Sequence, residues 1–235
     1  MIKNIINIGL PSKGRLKHDT INIFKKNKLN LFFERGERDL FGYIKKLPNV
    51  KIIYLHAREC IEQLSLGNID IGFSGYDLLK ESEVNVQNKI LINKKYNFGN
   101  ANLVLAIPDL WIDVQTLLDL DEVADEFKKK KKRLLRVATK YPNLTRQFLF
   151  SKGVTQFQLV KSLGSTEVAP FTGTAEIISD ITSTGTTLKA NNLRILKDGE
   201  ILKSQACLMI SKLSSKKSRI KKIINLLRRK FILES

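Results

Sequence analysis

The sequence predicts an α/β chain built as two lobes. Three observations carry that expectation. Short apolar runs of strand character alternate with segments of helical spacing, and the alternation repeats on either side of Pro108. Two of the strands run directly into a glycine-containing turn and a helix start, the unit from which open parallel sheets are made. No internal repeat, low-complexity linker or Pro/Gly-rich hinge interrupts the chain. The lobes are therefore expected to be joined by crossing strands, with a central cleft between them. The expected boundaries assign 1–108 with 191–235 to domain I and 109–190 to domain II.

The elements follow in order. Residues 4–10 (NIINIGL) read as a buried strand broken by Pro11-Ser12-Lys13-Gly14. Residues 15–27 then place Leu16, Thr20, Ile23 and Phe24 on one helical face. The helix start faces an anion in such a unit. Lys13 and Arg15 bracket Gly14, and cations beside a helix N-terminus oppose its dipole and so call for a reason. Residues 30–42 are irregular and charged, which suits a lid or a solvated hairpin tip. Strand 50–56 leads to helix 58–66, closed by Gly67-Asn68. Strand 69–73 leads through Ser74-Gly75-Tyr76-Asp77 to another helix start, and Asp70, Gly72, Gly75 and Asp77 cluster there. Its loop and the one at Lys13–Arg15 would meet at the carboxyl edge of one sheet.

Residues 89–92 and 101–107 are further strands. Residues 114–127 form an amphipathic helix, and Lys128 to Arg133 makes six consecutive positive charges. Cations suit a helix C-terminus, so this run is read as an exposed helix end before the strand at 135–139. A helix at 145–152, a strand at 156–160, and strands 193–196 and 200–211 joined by an Asp198-Gly199 hairpin complete the pattern. Residues 218–231 carry Ile220, Ile223, Ile224, Leu227 and Phe231 on one helical face.

Composition narrows the function classes. No apolar run reaches the length of a membrane span, and the start MIKNIINIGLPSKGRL lacks the long apolar region and cleavage site of a signal peptide. A cytoplasmic protein without a membrane role is expected. Cys60 and Cys207 lie far apart and read as free thiols. With only His18 and His56, a structural zinc site is disfavoured. The net charge of +18 invites a nucleic-acid reading. Against it, the 30 lysines outnumber the 11 arginines, Ile and Asn are also abundant, and the basic residues are spread along the chain. That is the pattern of AT-rich codon usage, and nucleic acid is not the expected partner.

The stretch 167–188, EVAPFTGTAEIISDITSTGTTL, carries the chemistry. Thr182, Ser183, Thr184, Gly185, Thr186 and Thr187 are small and mostly hydroxylated, after an apolar run and before Leu188. Small side chains let backbone N–H groups approach an anion, and the hydroxyls add donors. Asp180 stands at the entrance, able to accept sugar hydroxyls or a metal. The same residues in isolation also fit an ordinary polar turn between strand and helix.

Neighbouring blocks decide between the two. The segment 167–188 resembles the signature of the ATP phosphoribosyltransferase family, with Glu167, Gly173, Ala175, Ile178, Asp180, Ile181, Thr184-Gly185 and Thr187-Leu188 all matching. Five further blocks are similar and in the same order: LPSKGRL at 10–16, DIGFSGYDLL at 70–79, FGNANLVLAIPD at 98–109, RVATKYPNLTRQF at 136–148 and KANNL at 189–193. The segments ERGERDLFG and HARE look most like the alphaproteobacterial branch. The chain ends at Ser235, so it resembles the short form of the family, which lacks the C-terminal regulatory domain.

The resemblance implies a fold like that of type II periplasmic binding proteins. It implies transfer of phosphoribosyl from phosphoribosyl pyrophosphate (PRPP) to N1 of the ATP adenine with release of pyrophosphate, the first step of histidine biosynthesis. A two-lobed solute-binding module without catalysis is the alternative. By the resemblance, Glu167, Asp180 and Thr182, Ser183, Thr184, Gly185, Thr186 and Thr187 bind PRPP in domain II. Arg15 and Arg38 neutralise the leaving pyrophosphate, while Lys13, Gly14, Arg58, Asp70, Gly75 and Asp77 form the ATP and pyrophosphate wall. Simpler roles compete: Arg38 as an ion-pair partner of Glu34 or Glu37, Arg58 paired with Glu62, and Asp70 as a cap. Mg²⁺ is implied, held mainly by the pyrophosphate. So are a homodimer of catalytic chains and a regulatory subunit similar to histidyl-tRNA synthetase.

Overall fold

In the computed structural model the described residues are 5–26, 28–33, 39–215, 218 and 220. The first strand, β1 (Ile6–Pro11), is buried almost throughout and passes through Ser12-Lys13 into α1 (Gly14–Lys26). Thr20 and Phe24 are the buried residues of α1, one turn apart on the face that meets the sheet. β2 (Leu31–Phe32), β3 (Phe41–Ile44) and β4 (Leu47–Leu55) follow, paired antiparallel in sequence. Of the segment 30–42, read as a lid or a hairpin tip, the flanks β2 and β3 pair antiparallel, and residues 34–38 lie outside the described residues. α2 (Ala57–Leu66) is closed by Gly67 in the left-handed conformation. β5 (Ile71–Gly75), α3 (Tyr76–Glu81), α4 (Val84–Gln87) and β6 (Ile90–Lys95) complete the first run.

β7 (Ala101–Pro108) opens the second run, followed by α5 (Leu117–Lys131), β8 (Leu135–Thr139), α6 (Pro142–Ser151) and β9 (Phe157–Lys161). A 3-10 turn at Thr166–Val168 leads to β10 (Ile177–Thr182), α7 (Thr186–Ala190) and β11 (Leu193–Ser204). β12 (Ala206–Ser211) and α8 (Lys212–Ser215) return to the first unit. α5 starts on a capping box, with Thr116 and Asp119 bonding each other's backbone N–H. It ends in Lys128–Lys131, as expected for cations at a helix C-terminus.

The chain divides into two compact units. One holds Met1–Gly99 with Gln205–Ser235, the other Asn100–Ser204. The expected boundaries lay at 108/109 and 190/191. The difference has a plain cause: β7 and β11 pair with each other, and β7 with β10, so both belong to the second sheet. The first unit has a seven-stranded sheet in the order β2-β3-β4-β1-β5-β12-β6, and the second a five-stranded sheet in the order β11-β7-β10-β8-β9. Each sheet has three adjacent parallel strands: β4-β1-β5 in the first and β10-β8-β9 in the second.

The expected Asp198-Gly199 hairpin does not form. β11 is one strand that follows β7 along its length, and the extra residues are absorbed as bulges between Ile195 and Leu202. Asp198 is drawn to α5 instead, where its Oδ1 accepts from the Leu117 N–H at 2.9 Å. The expected helix at 218–231 lies outside the described residues except for Ser218 and Ile220, and Ile220 is buried in the first unit's core.

β10 is held at its start by one carboxylate. Glu176 accepts from Arg136 Nη2 at 2.6 Å, from Arg133 Nη2 at 2.9 Å and from the Arg136 backbone N–H at 2.8 Å. Burial alone would raise its pKa. The hydrogen bonds from the two arginines and the backbone outweigh that and hold it at about 2. A lowered carboxylate pKa gives stability that is full above the unfolded value of about 4.3 and lost as pH falls towards 2. With Arg133 partly in water, the contribution is about 1–2 kcal/mol. Glu176→Gln is expected to lose that amount at pH 7 in urea unfolding, and the gap from the parent protein should close between pH 4.5 and pH 2.

Candidate functional site at the carboxyl edges of the parallel strands

Parallel strands deliver their following loops to one edge, and that is where each unit collects its polar residues. In the first unit β1 ends at Pro11, and the Ser12 N–H donates to the carbonyl of Leu55, the last residue of β4, at 2.8 Å. Lys13, Gly14 and Arg15 therefore leave beside the start of α2, where Arg58 sits in the first turn. β5 delivers Gly75, Tyr76 and Asp77 to the same edge. Arg15 is largely exposed, and its Nε is 3.6 Å from Asp19 one turn along α1, a contact worth little in water. The Arg58 backbone N–H donates to His56 Nδ1 at 3.4 Å.

Asp77 is only 6% exposed and folds back over Gly75. A Cβ at position 75 would meet Asp77 Oδ1, so a larger residue there would displace this carboxylate.

Asp70 is elsewhere. It precedes β5, five residues before Gly75, and so stands about 16 Å away at the opposite edge of the sheet. Its Oδ2 accepts from the Asn7 N–H at 2.8 Å and its Oδ1 from the Ser214 hydroxyl at 2.5 Å. The expectation that Asp70 lines the substrate wall is corrected: it fastens β1 and the α8 segment to β5. Arg38 lies outside the described residues.

In the second unit the centre is Asp180. Side chains alternate along β10. Ser179 points to α6 and accepts from the Thr145 hydroxyl at 2.8 Å. Asp180 is on the opposite face with Ile178, which packs with Ala106, Ala138, Ala169, Ala175 and Leu188. That face is small-sided and dry, and Asp180 is 8% exposed. Burial raises the Asp180 pKa. The Ile181 N–H, the Lys140 ammonium and the Thr166 hydroxyl pull it back, and the neighbouring Glu167 carboxylate pushes it up. The Ile181 N–H donates to Asp180 Oδ1 at 2.8 Å.

Thr182 follows on the same face of β10, and its Oγ1 accepts from the Gly185 N–H at 2.8 Å. That bond closes the turn onto α7. Gly185 has φ 74°, a left-handed conformation that a side chain would strain. The Thr184 and Thr186 hydroxyls lie 2.7 Å apart. Ser183, Thr184, Thr186 and Thr187 are all exposed around the first turn of α7, whose N–H groups face outward from the helix start. Backbone donors and hydroxyls thus surround one small open turn, beside a buried carboxylate.

The structure brings together in the second unit Glu167, Asp180 and the 182–187 turn. In the first unit it brings together Lys13, Gly14, Arg15, Arg58, Gly75 and Asp77. Two polar neighbours of Asp180 escaped the sequence reading: Lys140, which follows β8, and Thr166, which follows β9 and whose Oγ1 is 3.0 Å from Ser162 Oγ. Their signal was available, since each sits in the loop after a strand parallel to β10.

The ATP phosphoribosyltransferase family model matches residues 56–229, which include α2, β5 and the whole 167–188 stretch. The chain belongs to the ATP phosphoribosyltransferase family. An ATP phosphoribosyltransferase of Nitrobacter winogradskyi is 49% identical over 205 residues, covering 87% of this chain and 63% of that protein. One from Chelativorans sp. is 43% identical over 208 residues, covering 88% of this chain and 90% of its own length. The chain thus spans 63% of the length of the first of these relatives and nearly all of the second.

Among solved structures, the ATP phosphoribosyl transferase (HisG:HisZ) complex from Thermotoga maritima matches with a TM-score of 0.72 and 27% identity. The match covers 98% of this chain and 100% of that one. A substrate-binding protein of an amino acid ABC transporter matches with a TM-score of 0.55 and 12% identity, over 97% of this chain and 91% of that one. At that identity it shows only that the family shares the type II periplasmic-binding-protein fold. No helix among the described residues is long and apolar enough to cross a membrane.

Two outcomes are expected. A raised carboxylate pKa costs stability as pH rises through it, because the folded state then gives up a proton it holds more tightly than the unfolded chain. Asp180→Asn, which keeps the acceptor for Ile181, should therefore raise the melting temperature at pH 7 and leave it unchanged at pH 3. Asp70→Ala should lower unfolding stability by about 2–4 kcal/mol, because it strands two buried donors, without changing the apparent affinity of the folded protein for substrates.

Proposed function

We propose that the protein is an ATP phosphoribosyltransferase, joining N1 of the ATP adenine to C1 of PRPP with release of pyrophosphate. The single observation that supports this most is the second unit's edge. There the family signature folds into a buried Asp180 beside an open turn of N–H groups and hydroxyls. In this reading the 182–187 turn takes the 5-phosphate of PRPP, since a nest of donors on small residues fits an oxyanion. Asp180, with Glu167 at its side, accepts the ribose hydroxyls. Its partial desolvation makes those bonds strong when the sugar becomes oxocarbenium-like, because a fixed carboxylate in a dry setting does not reorganise.

The pyrophosphate departs as a polyanion and needs cations. Arg15, Lys13 and Arg58 occupy the first unit's edge, and Arg38 is assigned to the same task. A guanidinium meets phosphate oxygens bidentately, which a lysine does not. Gly75 and Asp77 shape the wall beside them. The neutral adenine N1 is itself nucleophilic, and no general base is required.

Magnesium fits this donor set as an ion carried by substrate. Among the described residues no three His, Cys, Asp or Glu side chains group to hold a metal. Pyrophosphate oxygens and waters would supply most ligands, with Asp180 as the nearest protein carboxylate in the phosphoribosyl seat. When bound, the ion neutralises phosphate charge.

A regulatory subunit similar to histidyl-tRNA synthetase and a dimer of catalytic chains belong to the same proposal, as does a cytoplasmic location. The Thermotoga maritima structure, a HisG:HisZ complex, supports the first of these. The test is pyrophosphate release from PRPP with ATP and Mg²⁺, alone and with a candidate regulatory subunit. Activity in either setting is expected, with Asp180→Ala and Arg15→Ala each lowering kcat/KM by about 100-fold or more. Unchanged turnover in both variants would remove the site assignment.

A further inference from the structure

Two lysines of the first unit converge on one ring at the functional edge. Tyr76 is the first residue of α3, directly after Gly75, and its backbone N–H donates to the Gln205 carbonyl at 3.0 Å. The Lys95 ammonium lies 3.8 Å from the Tyr76 ring centroid and the Lys80 ammonium 5.7 Å from it. Both distances are within cation–π range. The sheet register fixes the level of Lys95. It pairs with Cys207 on β12, and Cys207 pairs with Ser74 on β5, so Lys95 is one step from the β5 edge where Gly75 and Asp77 emerge. Lys95 and Asp77 both act electrostatically on the buried Cys207 thiol.

The charges are not cancelled by ion pairing. Among the described residues neither Lys80 nor Lys95 has a carboxylate within salt-bridge distance. Lys80 reaches only the neutral Gln87 Oε1, at 3.5 Å. One ring therefore has two ammonium groups close to it, Lys80 half-buried and Lys95 exposed, at the edge that also carries Lys13, Arg15 and Arg58. Like charges so gathered repel unless an anion lies between them, and a ring that stacks against both orients them without neutralising either.

We propose that Tyr76, Lys80 and Lys95 form a seat for the polyphosphate chain of a substrate, with Tyr76 as the residue that positions the two ammonium groups. The inference rests on the reading of this edge as the ATP and pyrophosphate side. Two chains of this chemistry reach such an enzyme, the triphosphate of ATP and the pyrophosphate of PRPP, and the seat would take one of them.

The experiment is equilibrium binding by calorimetry to the full chain, at low and high salt, with inorganic tripolyphosphate, MgATP and PRPP as separate probes. The double variant Lys80→Ala/Lys95→Ala is compared with Lys130→Ala/Lys152→Ala, which removes the same charge from the second unit's surface. The first pair is expected to weaken tripolyphosphate at least tenfold, to flatten its salt dependence, and to weaken either MgATP or PRPP by a similar factor. The control pair should change each by less than twofold. Tyr76→Phe should bind as the parent does, and Tyr76→Ala should resemble the lysine double variant, because the ring and not the hydroxyl carries the stacking. Equal effects of the two double variants, or an unaltered affinity for all three probes, would overturn the seat. Pyrophosphate release by the parent chain is measured alongside. A parent chain inactive both alone and with the regulatory subunit, whose tripolyphosphate affinity still depends on Lys80 and Lys95, would keep the anion seat and remove the enzymatic reading.

Discussion

Parallel pairing is the constraint on which the rest of this structure depends. β1 between β4 and β5, and β8 between β9 and β10, must each be reached by a crossover, and every crossover leaves from the same edge. That edge is where the first residues after each strand cannot join the ladder and leave it as loops and helix starts. Lys13, Gly14 and Arg15 after β1, Arg58 after β4 and Asp77 after β5 share one edge for this reason. Lys140, Glu167 and the 182–187 turn share the other unit's edge for the same reason. Antiparallel strands β7, β11 and β12 complete the two sheets.

The two units load their edges differently. The first presents cations that remain in water. The second presents a carboxylate drawn into a dry, small-sided face, where its ionised form is held at a cost in stability. The start of β10 is fastened by Glu176, whose bonds to two arginines favour its ionised form, whereas Asp180's surroundings oppose ionisation. Two carboxylates four positions apart thus separate into an anchor, Glu176, and a buried group whose charge is disfavoured, Asp180. A carboxylate whose environment disfavours its charge is poised to gain when a cationic or hydroxylated ligand arrives.

The sequence made most of the fold legible because its signals were local. Apolar runs, glycine at turns and the Lys128–Lys131 helix end depend on residues a few positions apart, and these elements are all present. The failures were long-range. Asp198-Gly199 has hairpin chemistry, but the partner for 193–204 is β7, about a hundred residues upstream, and a bulge replaces the turn. Asp70 belongs to a motif-like cluster with Gly72, Gly75 and Asp77. The period of a strand sends it to the far edge, where Asn7 and Ser214 use both of its oxygens. Lys140 and Thr166 went unnoticed beside Asp180 because neither is near it along the chain.

By itself the sequence determined the family, the small hydroxylated turn after β10 and the strand–turn–helix units, since these are properties of short contiguous segments whose character does not depend on what they touch. Only the tertiary structure decided which residues share an edge, which carboxylate is buried and shifted, and which is merely structural. Those outcomes are set by strand register and by desolvation, and both depend on partners that the chain brings together from distant positions. The same dependence explains Tyr76: a tyrosine before an aspartate says nothing until β6 and β12 bring Lys95 to its ring.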